Sequence, residues 1–275
     1  MSDVSDLSTL ELSRRIRRHC VEMTHRADAS HIGSSLSTVE LLAVLFGSIM
    51  TYDPDDPEAA SRDRFILSKG HGCAAYYAAL AECGFFPMDW LQSFHQDGAR
   101  LAGHATHKGV PGVEVSTGTL GHGLPLATGM ALAAQRDSRD HRVFCLISDG
   151  ECDEGSTWEA ALLASHHNLE NLVVIVDYNK IQSYGRVEEV IDLEPLAAKW
   201  EAFGWGAVEV DGHDLTTIEN TLGNIPLEPG RPSCLIAHTV KGKGISFMED
   251  KLLYHYIPPR GEEYDRAIAE LDALE

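Results

Sequence analysis

Two oxygen-bearing side chains in this sequence stand where a divalent cation could be held. Asp149 and Asn179 each follow a short apolar run, and 28 residues lie between the Asp149-Gly150 pair and Asn179. A carboxylate and an amide oxygen are hard ligands. They suit Mg²⁺, which takes few protein ligands and fills its octahedron with water and phosphate oxygens. Gly150 lets the backbone come close to such a phosphate, and a helix starting near Gly155 would offer it free N–H groups. The elements that must position these groups are legible around them. Val143–Ile147 and Leu172–Val176 are short, β-branched runs, closed by Ser148-Asp149-Gly150 and Asp177-Tyr178-Asn179. A small-residue helix separates them. That pattern predicts a strand–helix–strand unit of a parallel sheet, with both ligands just past the carboxyl ends of their strands. Open α/β sheets bind ligands at that edge.

The composition bounds the rest. With 275 residues, 44% of them hydrophobic, the chain can bury a substantial core. Its formal net charge of −20 argues against nucleic acid and anionic membrane surfaces as partners. A phosphorylated ligand stays possible, because a bound metal can set the field of one pocket. Six cysteines are scattered with no C-x-x-C pair, as expected of reduced thiols. The first residues carry no signal pattern, and the most apolar helix, Leu41 to Met50, is too short to span a bilayer. A cytoplasmic protein is expected.

Along the chain, Ser8-x-x-Glu11 forms a capping box before a helix with Leu12, Ile16, Cys20 and Met23 on one face. Arg14, Arg15, Arg17 and Arg18 fall on its other face, a solvated or subunit-facing surface. Ser37-x-x-Glu40 reads as the cap of a second, buried helix running through Phe46. Phe65–Leu67 predicts a strand, Ser68–Gly72 a turn, and the alanine-rich stretch after it a helix ending at Gly84. Residues 98–120 form a long glycine-punctuated loop, and loops of that length inside compact domains tend to be functional. Helices are expected at Gly121–Gln135, Asp192–Phe203, Leu215–Leu222 and Glu262–Leu274, with strands at Gly206–Val210 and Ser233–His238. The alternation of strand and helix predicts one α/β domain over residues 1–275, built on a parallel sheet.

Six segments in order, ASHIGSSLS (29–37), DRFILSKGHG (63–72), GHATHKGVPGVEVSTGTLGHGL (103–124), SDGECDEGSTWEA (148–160), DYNKIQSYG (177–185) and VKGKGISFMEDKLLYH (240–255), together resemble the diphosphate-binding part of transketolase. The Asp-Gly…Asn order also resembles the thiamine diphosphate fingerprint, with Ser148 in place of its first glycine. The resemblance covers nearly the whole chain. It implies the thiamin diphosphate-binding fold and transfer of a two-carbon ketol unit between sugar phosphates, with thiamine diphosphate and Mg²⁺ (or Ca²⁺ or Mn²⁺) as cofactors. It further implies that Asp149, Asn179 and the carbonyl of Ile181 hold the metal. His71, Gly150, Lys241, His255 and the Gly118-Thr119-Leu120 segment would hold the cofactor. Thr119 stands where the family commonly has proline. Glu154 matches a glutamate that reaches towards the partner's cofactor-activating carboxylate. His31, His104 and His255 match histidines that face the substrate, where imidazole can take and return hydroxyl protons near neutral pH. The family's usual Trp-His-Gly is here Tyr254-His255-Tyr256, so Tyr256 could reshape the pocket.

The family's pyrimidine-binding and C-terminal domains have no counterpart in this sequence. The resemblance therefore implies the N-terminal subunit of a split transketolase, inactive alone and assembled as two copies of each subunit with a pyrimidine-domain partner. Two further readings share part of the sequence. One is another thiamine diphosphate reaction on the same scaffold, of the deoxyxylulose-phosphate-synthase or 2-oxo acid dehydrogenase type, or a transketolase for a specialised sugar. The other is a non-catalytic subunit that keeps only the fold. A nicotinamide dehydrogenase is disfavoured, since no G-x-G-x-x-G follows a strand.

Overall fold

The computed structural model describes residues 7–273. The first six residues, where a targeting signal would begin, and Leu274, the expected end of the last helix, lie outside the described residues. Five strands form one parallel sheet: β1 (Arg64–Leu67), β2 (Val143–Ser148), β3 (Leu172–Tyr178), β4 (Gly206–Asp211) and β5 (Ser233–His238), in the order β1-β2-β3-β5-β4. Side chains alternate across a strand, so each strand here feeds two cores. Phe65, Phe144, Leu146, Val173, Ile175 and Leu235 pack on one face. Ile66, Cys145, Ile147, Val174, Val176 and Ile236 pack on the other. Burial on both faces is why these strands read as continuous apolar runs.

On the first face lie α1 (Thr9–Ala27), α2 (Ile32–Leu36), α3 (Val39–Val44) and α4 (Cys73–Glu82), with residues of the later helices Leu215–Gly223 and Glu262–Asp272. On the second lie α5 (Gly123–Arg136), α6 (Gly155–His166), a short helix α7 (Val187–Val190) and α8 (Leu196–Ala202). Helices α9 (Leu215–Gly223) and α10 (Glu262–Asp272) complete the order. Among the described residues, no helix is long and apolar enough to cross a membrane. All six cysteines are free and buried, and burial pushes their thiols up, Cys20 to about 12.

Three local expectations give way to longer-range contacts or turns. Ser8 does cap α1, its hydroxyl accepting the Glu11 N–H at 3.2 Å. Ser37 caps nothing. It is fully buried, and its hydroxyl donates to Asp177 Oδ2 at 2.7 Å, so a local capping pattern was taken by a partner 140 residues away. The helix expected through Phe46 ends at Val44 and opens into a wider turn, where the Met50 N–H reaches the Leu45 carbonyl at 2.9 Å. The helix expected from Asp192 starts only at Leu196. Asp192 and Glu194 accept the N–H groups of Glu194 and Leu196 in a turn that precedes it.

The arginine stripe of α1 is not uniformly solvated. Arg17 is buried and ion-paired to Glu40, which also accepts from His213 Nδ1 at 3.0 Å. Burial pushes the Glu40 carboxyl up, but His213 and Arg17 more than offset this and hold it below the usual range. A carboxyl depressed in the folded state contributes stability above its unfolded value, and that contribution fades as pH falls through the folded value. Wild type should therefore lose stability from about pH 5 downward, and Glu40→Gln should flatten that part of the curve. Melting curves between pH 3 and 7 test this; parallel slopes in the two proteins would refute it.

Candidate active site

The carboxyl ends of four adjacent strands deliver the site. After β1 comes Ser68–Gly72, after β2 Asp149, after β3 Asn179 and Ile181, and after β5 Thr239–Lys241. Parallel pairing brings Ser148 level with Asp177, and Asp177 level with Ala237, so these ends share one edge. A cavity of about 400 Å³ opens there. Among its lining residues are His31, His71, His104 and His255, together with Asp149, Asn179, Ile181 and Lys241.

Four imidazoles from four separate segments meet on one side. The His31 ring lies 4.9 Å from that of His255, 5.3 Å from His71 and 5.7 Å from His104, centroid to centroid. His31 adopts a left-handed conformation (φ 71°), and its N–H donates to the His255 carbonyl at 2.9 Å. His104 belongs to the long loop, whose folding is set by hydrogen bonds. Tyr77 Oη donates to the His104 carbonyl and accepts the Thr106 N–H, each at 3.0 Å. The His104 ring also lies against Gly118, where a Cβ would approach it to 3.2 Å. Burial, then the neighbouring His104 and Lys241, lowers His31 to about 4. Burial, then Lys241, lowers His255 to about 3. His71 is depressed by burial and then by Lys69, and His104 by burial and then by His95. At neutral pH the cluster is therefore a set of uncharged imidazoles, each with a ring nitrogen able to accept.

Facing them is the oxygen set. Asp149 Oδ1 accepts from the Gly150 N–H and Oδ2 from the Lys180 N–H, both at 2.7 Å. Burial, and then the Asp177 charge, pushes its carboxyl up to about 6. Asn179 Nδ2 donates to Asp177 Oδ2 at 3.1 Å, which fixes the amide and leaves Oδ1 to accept the Ile181 N–H at 3.1 Å. The Ile181 carbonyl accepts the Lys241 ammonium at 2.7 Å, so it already faces a cation. Among the described residues no group of three or more His, Cys, Asp or Glu could hold a metal. The donors available are one carboxylate, one amide and one backbone carbonyl, a set that fits a hard divalent ion.

Several supporting residues escaped the sequence. Lys69 and Asp177 form a fully buried ion pair beneath the site, where Asp177 also accepts from Ser37, Thr239 and Asn179. Each charge comes at the end of an apolar strand run, which was the available signal. Glu151, also buried, accepts from the Ser68 hydroxyl and from the Gly121 N–H at 2.8 Å, bracing the segment that carries Gly118 and Leu120. Of the expected cofactor segment, Gly118 and Leu120 line the cavity, while Thr119 is exposed outside its lining. Gly150 lines the cavity, and Glu154 stands exposed on its rim.

This fold and this edge define a parallel α/β domain with a ligand cavity past the carboxyl ends of its strands. The chain belongs to the transketolase thiamine diphosphate-binding-domain family, whose model matches residues 9–267. It is 42% identical over 266 residues to an apulose-4-phosphate transketolase subunit of Phocaeicola vulgatus, covering 96% of this chain and 94% of that one. It is 41% identical over 257 residues to a 6-deoxy-6-sulfo-D-fructose transketolase subunit of a Clostridium species, covering 94% of each. The structure superposes on transketolase from Leishmania mexicana with a TM-score of 0.90 at 33% identity, covering 97% of this chain and 41% of that one. The chain thus spans about two-fifths of the solved transketolase and nearly all of the two subunits.

Proposed function

We propose that this chain is the cofactor-binding subunit of a two-subunit transketolase, which moves a two-carbon ketol unit from a ketose phosphate to an aldose phosphate. The observation that carries the reading is the meeting, in one cavity, of four neutral imidazoles with the Asp149–Asn179–Ile181 oxygen set. Asp149, Asn179 and the Ile181 carbonyl hold Mg²⁺ or another divalent ion. His71, Gly150, Lys241, His255 and the Gly118-Thr119-Leu120 segment hold thiamine diphosphate, which supplies carbanion stabilisation when bound. His104 bonds the donor's terminal hydroxyl. His31 and His255 accept and return the hydroxyl proton whose movement accompanies carbon–carbon cleavage. Burial first, and then neighbouring charges that include the Lys241 and Lys69 ammoniums, depress the His31 and His255 imidazoles, and a bound diphosphate would offset the part due to the ammoniums.

The chain is one domain, 1–275, and the pyrimidine-binding and C-terminal domains reside on a partner subunit towards which Glu154 points its charge. Two copies of each assemble in the cytoplasm. The names of the relatives, each called a subunit, support the division of labour. Their sugars support a specialised donor, as does Tyr256, whose hydroxyl reaches across to the Ser183 carbonyl beside His255. The test is ketol transfer with thiamine diphosphate and Mg²⁺, using xylulose 5-phosphate, apulose 4-phosphate and related ketoses as donors and ribose 5-phosphate as one acceptor. Activity is expected only when the chain is co-expressed with a pyrimidine-domain partner. Turnover by the chain alone would refute the division, and a complex that binds no cofactor would favour the non-catalytic reading.

A further inference from the structure

Lys241 is fully buried, yet its ammonium must sit at one point, 2.7 Å from the Ile181 carbonyl and 3.0 Å from His255 Nδ1. A lysine has four rotatable bonds, so that placement depends on how firmly its backbone is held. The loop that carries it, Lys241-Gly242-Lys243-Gly244, is gripped on both sides by one buried polar chain. On the amino side, the Val240 N–H donates to His213 Nε2 at 2.8 Å. That bond makes Nε2 the acceptor and leaves Nδ1 to donate, at 3.0 Å, to Glu40 Oε2. The other Glu40 oxygen takes the Arg17 guanidinium. On the carboxyl side, Arg17 Nε returns to the loop and donates to the Lys243 carbonyl at 3.2 Å. Arg17 also packs against Gly244 (φ 91°), where a Cβ would come within 2.5 Å of it. A third bond, from the Gly242 N–H to the Gly33 carbonyl at 3.0 Å, ties the loop to α2, beside His31.

The geometry points to Arg17, Glu40 and His213 as positioning residues that place the Lys241 ammonium for the diphosphate. The chain Lys243–Arg17–Glu40–His213–Val240 closes around Lys241 from three distant parts of the sequence. Its members are nearly buried, so each bond is made in a medium where leaving it unmade is costly. None of the three lines the cavity, so they act through Lys241 and not on the cofactor itself. This inference rests on the reading of Lys241 as a diphosphate ligand.

A double-mutant cycle between His213 and Lys241 tests it, read as thiamine diphosphate affinity with Mg²⁺ by calorimetry on the full chain assembled with its partner subunit. Lys241→Ala should weaken binding on the order of 100-fold, and His213→Ala about 10-fold. The double variant should be no weaker than Lys241→Ala alone, because a residue acting through Lys241 has nothing left to act on. His213→Asn places its amide where Nδ1 stood, keeps a donor for Glu40 but is too short to accept the Val240 N–H, and should show the same weakening, which separates the Val240 bond from the burial of Glu40. Thermal melts confirm that each variant is folded, and should His213→Ala fail to fold, His213→Asn completes the cycle. Wild-type affinity in the folded His213 variants, or losses that multiply with Lys241→Ala, would overturn the inference while leaving the role of Lys241 intact. An unchanged affinity in Lys241→Ala, or no binding by wild type, would remove the reading of Lys241 and the inference with it.

Discussion

Asp149→Ala is expected to weaken Mg²⁺-dependent binding of thiamine diphosphate by a factor on the order of 100 or more, without lowering the melting temperature of the cofactor-free chain. The two halves of this result come from one cause. Asp149 is 2% exposed, its oxygens take two backbone N–H groups, and burial still pushes the carboxyl up to about 6. Such a charge is retained for something other than stability, since removing it relieves an unfavourable burial. Asp149→Asn keeps one oxygen and the shape, and should fall between wild type and alanine. Calorimetry at fixed Mg²⁺ gives the affinity, and a melt without cofactor gives the stability. A large drop in melting temperature with affinity preserved would show that Asp149 is structural.

Lys69→Met is expected to have the largest effect on stability, a loss of about 3–5 kcal/mol, because it strands a fully buried carboxylate. Lys69 and Asp177 are both 0% exposed, and the ammonium also donates to the Ser34 carbonyl at 2.9 Å. Burial, the largest influence on Asp177, would raise its carboxyl, but Lys69 and the Thr239 and Ser37 hydroxyls hold it below the usual range. Take away the ammonium and three neutral donors remain, too few to replace the lost hydration. For a chain of this size the loss corresponds to a fall in melting temperature of about 10 °C. Adding Asp177→Asn to Lys69→Met should recover part of it, since a neutral pair costs less to bury than one charge. A single Lys69→Met variant that melts within about 2 °C of wild type would refute the account.

Much of the site was legible because its residues sit at strand ends, and strands buried on both faces announce themselves as apolar runs. Val143–Ile147 and Leu172–Val176 located β2 and β3, and with them Asp149 and Asn179. The histidines were legible only through the family pattern; nothing local to His31 or His104 says that a turn and a long loop bring their rings within 6 Å. What stayed hidden was the polar support. Ser37 carries a capping pattern, Arg17 sits in a row of surface-like arginines, and Glu40 follows at cap spacing. Each is bonded to a residue far along the chain: Asp177, Glu40 and His213. Periodicity reports the face a side chain occupies relative to its own helix. A buried ion pair depends on which other element meets that face, and spacing does not encode it.

The thiols described above give the chain a practical property. A thiolate is the species that reacts, and all six cysteines are both enclosed and shifted away from ionisation. The native protein should therefore be nearly silent towards maleimides. A single cysteine placed at Tyr184, a cavity-rim side chain that is 87% exposed, would then carry a fluorophore as the sole labelled site. Its emission would report directly, and in real time, whether the proposed second subunit docks over the cleft.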